Sequence, residues 1–102
     1  MTTIYLETTD NAIQVRSLVE TAIQREIAHL ELAFMLAQER LVPFEQKYRT
    51  TSEHFITSMA AEDLVGGDDE YVQWAGEYRL VRDLEAKLRQ LRGITYRDAD
   101  IL

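Results

Sequence analysis

FEQKYRTTSEHFI, residues 44–56, reads as the end of one helix and the start of another. Phe44 and Tyr48 lie four apart, as on one helix face, and Phe55-Ile56 opens a second apolar stripe. Between them, Arg49-Thr50-Thr51 offers no apolar position that would extend the first stripe. Thr50 with Glu53 fits the Thr-x-x-Glu capping box, and Thr51 is a competing cap. One helix is therefore expected to end near Tyr48 or Arg49 and another to begin near Thr51.

Upstream of the turn, Ile23, Ile27, Leu30, Phe34, Ala37, Leu41, Phe44 and Tyr48 are spaced by alternating fours and threes. That is a heptad seam held for more than three heptads. Val15 and Val19 continue the stripe toward a cap at Thr9 or Asp10. The expected first helix covers residues 10–48, with a kink rather than a stop at Pro43, because Phe44 and Tyr48 keep the phase of Leu41. Ahead of it, TTIYLETT (residues 2–9) is rich in β-branched and aromatic residues. Residues 1–9 are expected to form a short β-like arm, either loosely ordered or paired with the same arm of a second subunit.

Downstream, a short helix is expected over residues 51–65, burying Phe55, Ile56, Met59, Ala60 and Leu64 and ending at Gly66-Gly67. Asp68 is the expected cap of a third helix over 68–92, with Asp69 and Glu70 in its first turn and Arg89 and Arg92 in its last. Its stripe is Trp74, Tyr78, Val81, Leu84, Leu88 and Leu91. Gly93 ends it, and residues 93–102 form a tail that is frayed or docks its apolar residues. The expectation is a single all-α domain in which the third helix packs back antiparallel on the first.

The lengths have a consequence. A helix from 10 to 48 spans about 58 Å and the third helix about 36 Å. Roughly 20 Å of the first helix then stays uncovered. This stretch carries Ile13, Leu18, Val19, Ala22 and Ile23, the candidate partner or dimer interface. A homodimer or higher oligomer would cover it and would also give the arm a partner.

Composition limits the chemistry. The 102 residues carry a net charge of −7 and no cysteine, which excludes disulfides and thiolate metal sites. Nucleic-acid binding needs Lys and Arg against phosphate, and this balance opposes it. Glu62, Asp63, Asp68, Asp69 and Glu70 form an acidic patch suited to a basic protein partner. No apolar run approaches the roughly 20 residues of a membrane span, and no basic region precedes an apolar core at the N-terminus. A soluble, cytoplasmic protein without cofactor is expected.

Catalytic patterns are missing. Ser17, Ser52 and Ser58 have no evident base and orienting acid. Glu26-Ile27-Ala28-His29 matches Glu-x-x-His, the spacing of di-iron bundles, but occurs once per chain and off the apolar stripe, so a solvated pair is the simpler reading. Gly66-Gly67-Asp68-Asp69 lacks the lysine and spaced glycines of a phosphate loop. Arg79, Arg82, Lys87, Arg89 and Arg92 are interleaved with Asp83 and Glu85, as on a solvated helix face.

One resemblance rests on Phe44, Glu45, Lys47, Tyr48, Ser52, Glu53, Phe55, Asp68, Asp69 and Trp74. Over residues 41–91 the chain resembles small acidic helical antitoxin-like proteins that accompany small toxins in prokaryotic toxin–antitoxin pairs. In that group a glycine commonly follows the Lys-Tyr pair; here Arg49 stands in its place. The resemblance implies a non-catalytic protein that binds and neutralises a partner toxin. The alternatives are a dimeric DNA-binding repressor with paired N-terminal strands, and a Glu-x-x-His di-iron bundle.

Overall fold

The computed structural model describes residues 1–97. It contains three α-helices: α1 (Ala12–Tyr48), α2 (Ser52–Ser58) and α3 (Gly67–Arg92), with a single 3-10 turn at Ala61–Asp63. Helix α3 packs antiparallel on the C-terminal two thirds of α1. The sense is fixed by the pairs Lys47–Glu70, Arg40–Glu77 and Glu31–Arg92, which fall along α1 as they rise along α3.

The core lies between these two helices. Ile27, Leu30, Ala37 and Leu41 of α1 meet Trp74, Val81, Leu84 and Leu88 of α3, and Phe55 and Leu64 close one end. The remaining seam residues, Ile23, Phe34, Phe44 and Tyr48, are partly buried against this core. Helix α1 continues through Pro43 to Tyr48. A proline inside a helix costs about 3 kcal/mol. Each large apolar side chain fully buried returns roughly 1.5–3 kcal/mol. Leu41, Phe44 and Tyr48 together outweigh the proline, so the helix runs on until their contacts end.

At Arg49 the chain leaves the helix in the left-handed conformation, φ 50° and ψ 46°. The N–H groups of Arg49 and Thr50 both donate to the Glu45 carbonyl, which closes the turn. A side chain in this region costs about 1–2 kcal/mol, part of which glycine's greater unfolded freedom offsets. Arg49→Gly is therefore expected to stabilise the protein by about 0.5–1 kcal/mol. A urea denaturation midpoint at or below that of the parent protein would refute the strain argument.

Several sequence expectations need correction. The β-like arm at residues 1–9 is not formed: residues 1–10 are exposed, and no strand occurs among the described residues. A β-rich composition makes a strand only when a second strand supplies the ladder, and the fold offers none. Helix α1 starts at Ala12, with the Asn11 side chain accepting from the Gln14 N–H, rather than at a Thr9 or Asp10 cap. Thr51, not Thr50, caps α2, accepting from the His54 N–H at 3.1 Å. Thr50 is already committed to the turn that ends α1.

The segment expected as one helix over 51–65 breaks after Ser58. Met59 is extended, and Thr57 Oγ1 bonds the Glu53 carbonyl, a local alternative that weakens the last turn. Phe55 and Leu64 are buried, Met59 partly so, while Ile56 and Ala60 stay exposed. Asp68 does not cap α3, which opens one residue earlier at Gly67 with φ +63°. That positive φ is the reason for glycine at 67. Gly93 terminates α3 as expected, donating to the Arg89 carbonyl at 3.1 Å. Of the expected tail, residues 98–102 lie outside the described residues.

The molecule is a rod, 61 × 24 × 19 Å, with a radius of gyration of 20.0 Å. A compact chain of this length would have a radius near 13 Å.

Candidate functional site

Two polar devices hold the turn region in place, and both are built from residues of the 44–56 stretch. The first surrounds Trp74. Its ring is fully buried and stacks on Phe55 at 3.9 Å, with Phe44 at 5.4 Å and Tyr48 at 5.6 Å. Tyr71 also meets Phe55, tilted, with ring centroids 4.9 Å apart. A buried indole must place its N–H. Here Nε1–H donates to Ser52 Oγ at 2.8 Å. The Ser52 hydroxyl in turn donates to Glu45 Oε2 at 2.8 Å, and the Ser52 backbone N–H donates to the same oxygen at 3.0 Å. Each buried donor is satisfied in one chain from α3 through α2 to α1.

The second device is a clamp at Glu70. Its carboxylate accepts from Lys47 Nζ at 2.7 Å, from the Tyr48 hydroxyl and from the Gly66 N–H at 3.1 Å. The Tyr48 hydroxyl also accepts from the Val65 N–H at 2.9 Å. The end of α1, the linker and the first turn of α3 are thereby joined. The approach is close enough that a Cβ on Gly66 would lie 2.8 Å from the Glu70 Cβ, so residue 66 has to be glycine.

Hydrogen bonds from Lys47 and then Tyr48 pull the Glu70 carboxyl from an ordinary value of 4.5 to about 2, against the opposing effect of partial burial. The bond to Glu70 raises Lys47 above its ordinary 10.5. The signs follow. Glu70's contribution to stability is complete above the unfolded carboxyl value and is lost as pH falls from about 4.5 toward about 2. Lys47's contribution is complete below 10.5 and is lost as pH rises through its raised folded value. Glu70→Gln is expected to lower stability at neutral pH and to flatten the acid limb of the stability profile between pH 4.5 and 2. Denaturation midpoints measured across that window check this; an acid limb unchanged from the parent protein would remove Glu70 as its cause.

The acidic patch expected from sequence is thus divided by the fold. Glu62, Asp68 and Asp69 are exposed. Asp63 is exposed, but its carboxylate accepts from the Ala60 N–H at 2.8 Å within the 3-10 turn. Glu70, with a side chain only 13% exposed, belongs to the clamp. The apolar set lies at the other end of the rod. Ile13, Leu18 and Ala22 are exposed, Val19 and Ile23 are partly buried, and Ile23 packs against the core. Thirty helical residues, about 45 Å, separate Leu18 from Tyr48, so the two sets form separate surfaces.

An open cleft of about 290 Å³ lies beside Glu45 and Ser52, lined also by Gln38, Tyr78, Arg82 and Glu85. The Ser52 hydroxyl is buried and committed on both sides, to the indole and to Glu45. Glu26 and His29 are solvated, 3.6 Å apart. Among the described residues no group of three or more His, Cys, Asp or Glu could hold a metal ion. No helix among them is long and apolar enough to cross a membrane.

From the sequence, Glu70 belongs to the acidic patch, while Glu45, Lys47 and Ser52 stand out only as positions of the resemblance. Their roles depend on pairs 7 to 23 residues apart, which helical periodicity does not connect. No protein-family model, curated protein or solved structure matches the chain.

Proposed function

We propose that this chain is a non-catalytic protein-interaction module that works as an antitoxin-like protein, binding and neutralising a partner toxin in the cytoplasm. The observation that carries the reading is the surplus surface of the rod. The chain exposes 8229 Å². A compact monomer of 11.9 kDa exposes about 5,950 Å². Part of the exposed surface is the segment before Asn11, and part is helix with large apolar side chains in water, Ile13 and Leu18 among them. A helix so dressed is an interface waiting for another chain.

Charge and rigidity support the same reading. Glu62, Asp68 and Asp69 present acid at the turn end of the rod, on a base stiffened by the Trp74 stack and the Glu70 clamp. A toxin that grips nucleic acid through a basic surface is the partner such a face would attract. The likeness of residues 41–91 to antitoxin-like proteins points the same way.

Co-expression with the product of the adjacent gene tests the proposal. A stable co-purifying complex, with relief of growth arrest caused by that product alone, is the expected result. Absence of both complex and relief would overturn it.

A further inference from the structure

Helix α1 carries a second apolar stripe that faces away from α3. Ala28, Leu32, Met35 and Val42 follow the same three-four spacing as the core seam, and Leu36 lies beside them; all are exposed, Leu32 at 53%. Extended toward the N-terminus at the same spacing, the stripe reaches Arg25, Thr21 and Leu18, also exposed. By helical rotation it sits nearly opposite the buried seam. A surface helix needs one apolar face; a helix apolar on two opposite faces belongs between two neighbours.

Two charges interrupt this stripe, and their placement identifies the neighbour. Arg25 and Glu39 stand seven residues on either side of Leu32. Among the described residues neither has an ion-pair partner. When two copies of α1 run antiparallel with a two-fold axis at Leu32, Arg25 of each copy meets Glu39 of the other. Ala28 then meets Leu36, and Leu32 meets itself. A parallel pair would set Arg25 on Arg25 and Glu39 on Glu39. The stripe is therefore self-complementary in one sense only, as an isologous interface requires.

We infer that the back of α1 is a homodimer interface, antiparallel and centred on Leu32, with two symmetric Arg25–Glu39 pairs setting the register. The inference deepens the reading of α1's surplus surface as an interface and names the occupant as a second copy of this chain. The arrangement has a consequence for partner binding. It lays the C-terminal end of α1 in one chain beside the bare N-terminal third of α1 in the other.

The absence of native cysteine makes the geometry testable in the full chain. Leu32→Cys is expected to form a disulfide-linked dimer on mild oxidation, because the two copies meet at that residue. Leu18→Cys is expected to stay unlinked, since its two copies lie about 42 Å apart. Linking at both positions would mean a parallel pair, and linking at neither would mean no such dimer; either result overturns the inference. Light scattering on the parent protein should give twice the 11.9 kDa chain mass. Arg25→Glu should weaken the dimer on the order of tenfold, and adding Glu39→Arg should restore it. Helical circular dichroism confirms folding of each variant, because these side chains are exposed. Failure of the dimer with retained toxin binding would sink this inference alone; a confirmed dimer that binds no toxin would sink the functional proposal alone.

Discussion

Trp74→Ala is expected to cost about 3–5 kcal/mol and to bring the protein to the edge of unfolding at room temperature. The ring is fully buried, and removing it opens a cavity between Phe44, Tyr48 and Phe55 that none of these rings can fill without leaving its own helix. It also strips Ser52 Oγ of its donor inside the core. A small domain has roughly 5–15 kcal/mol in all. The measurement is urea denaturation followed by circular dichroism. Trp74→Phe should fall between, keeping most of the stack and losing the hydrogen bond. Val72→Ala, at an exposed site two residues away, should shift stability by less than about 0.5 kcal/mol. A Trp74→Ala protein as stable as the Val72→Ala control would show that the stack is not the keystone of the turn.

Phe55→Ala follows with a comparable loss, about 3–5 kcal/mol. The physical reason differs. Helix α2 has seven residues, too few to be stable by itself, and Phe55 and Ser52 are its buried residues. Phe55 lies parallel to the indole, at an interplanar angle of 1°, and also meets Tyr71. Without it, α2 loses its anchor, and the Ser52 relay is exposed to water. Trp74 is the single tryptophan, so its emission reports the event directly. A red shift with most helical signal retained is the expected signature, because α1 and α3 keep their remaining core. Because Phe55 and Trp74 touch, the double variant should lose less than the sum of the two single losses.

The acid sensitivity of the Glu70 clamp and the gain from Arg49→Gly concern the same few residues from different directions. Arg49 sits where the resemblance leads one to expect glycine, and the observed positive φ explains why glycine would suit it. The chain keeps this turn because the Glu45 carbonyl and side chain, Tyr48 and Glu70 bind it from several sides. That leaves local backbone strain tolerable within a turn held by other contacts.

The outcome for the N-terminal arm shows where local pattern misleads. Thr2 to Thr9 have the composition of a strand, yet a strand is a property of a pair. The long seam from Ile23 to Tyr48 was legible because helix burial repeats with a fixed period and each residue reports on the same face. The Asp68 cap and the 51–65 helix were misjudged because competing caps and breaks within a turn differ by less than about 1 kcal/mol, a margin that tertiary contacts easily reverse.

By itself the order of residues determined that this is an all-helical chain, that its first helix is long, and that a turn follows Tyr48. Those features follow from periodicity and from groups within one or two helical turns of each other. Only the tertiary structure decided that Glu70 is a clamp rather than a free acid, that Ser52 links Trp74 to Glu45, and that α3 leaves the back of α1 uncovered. Each depends on which face meets which neighbour across the rod, and that is set by the packing of α3 on α1 as a whole.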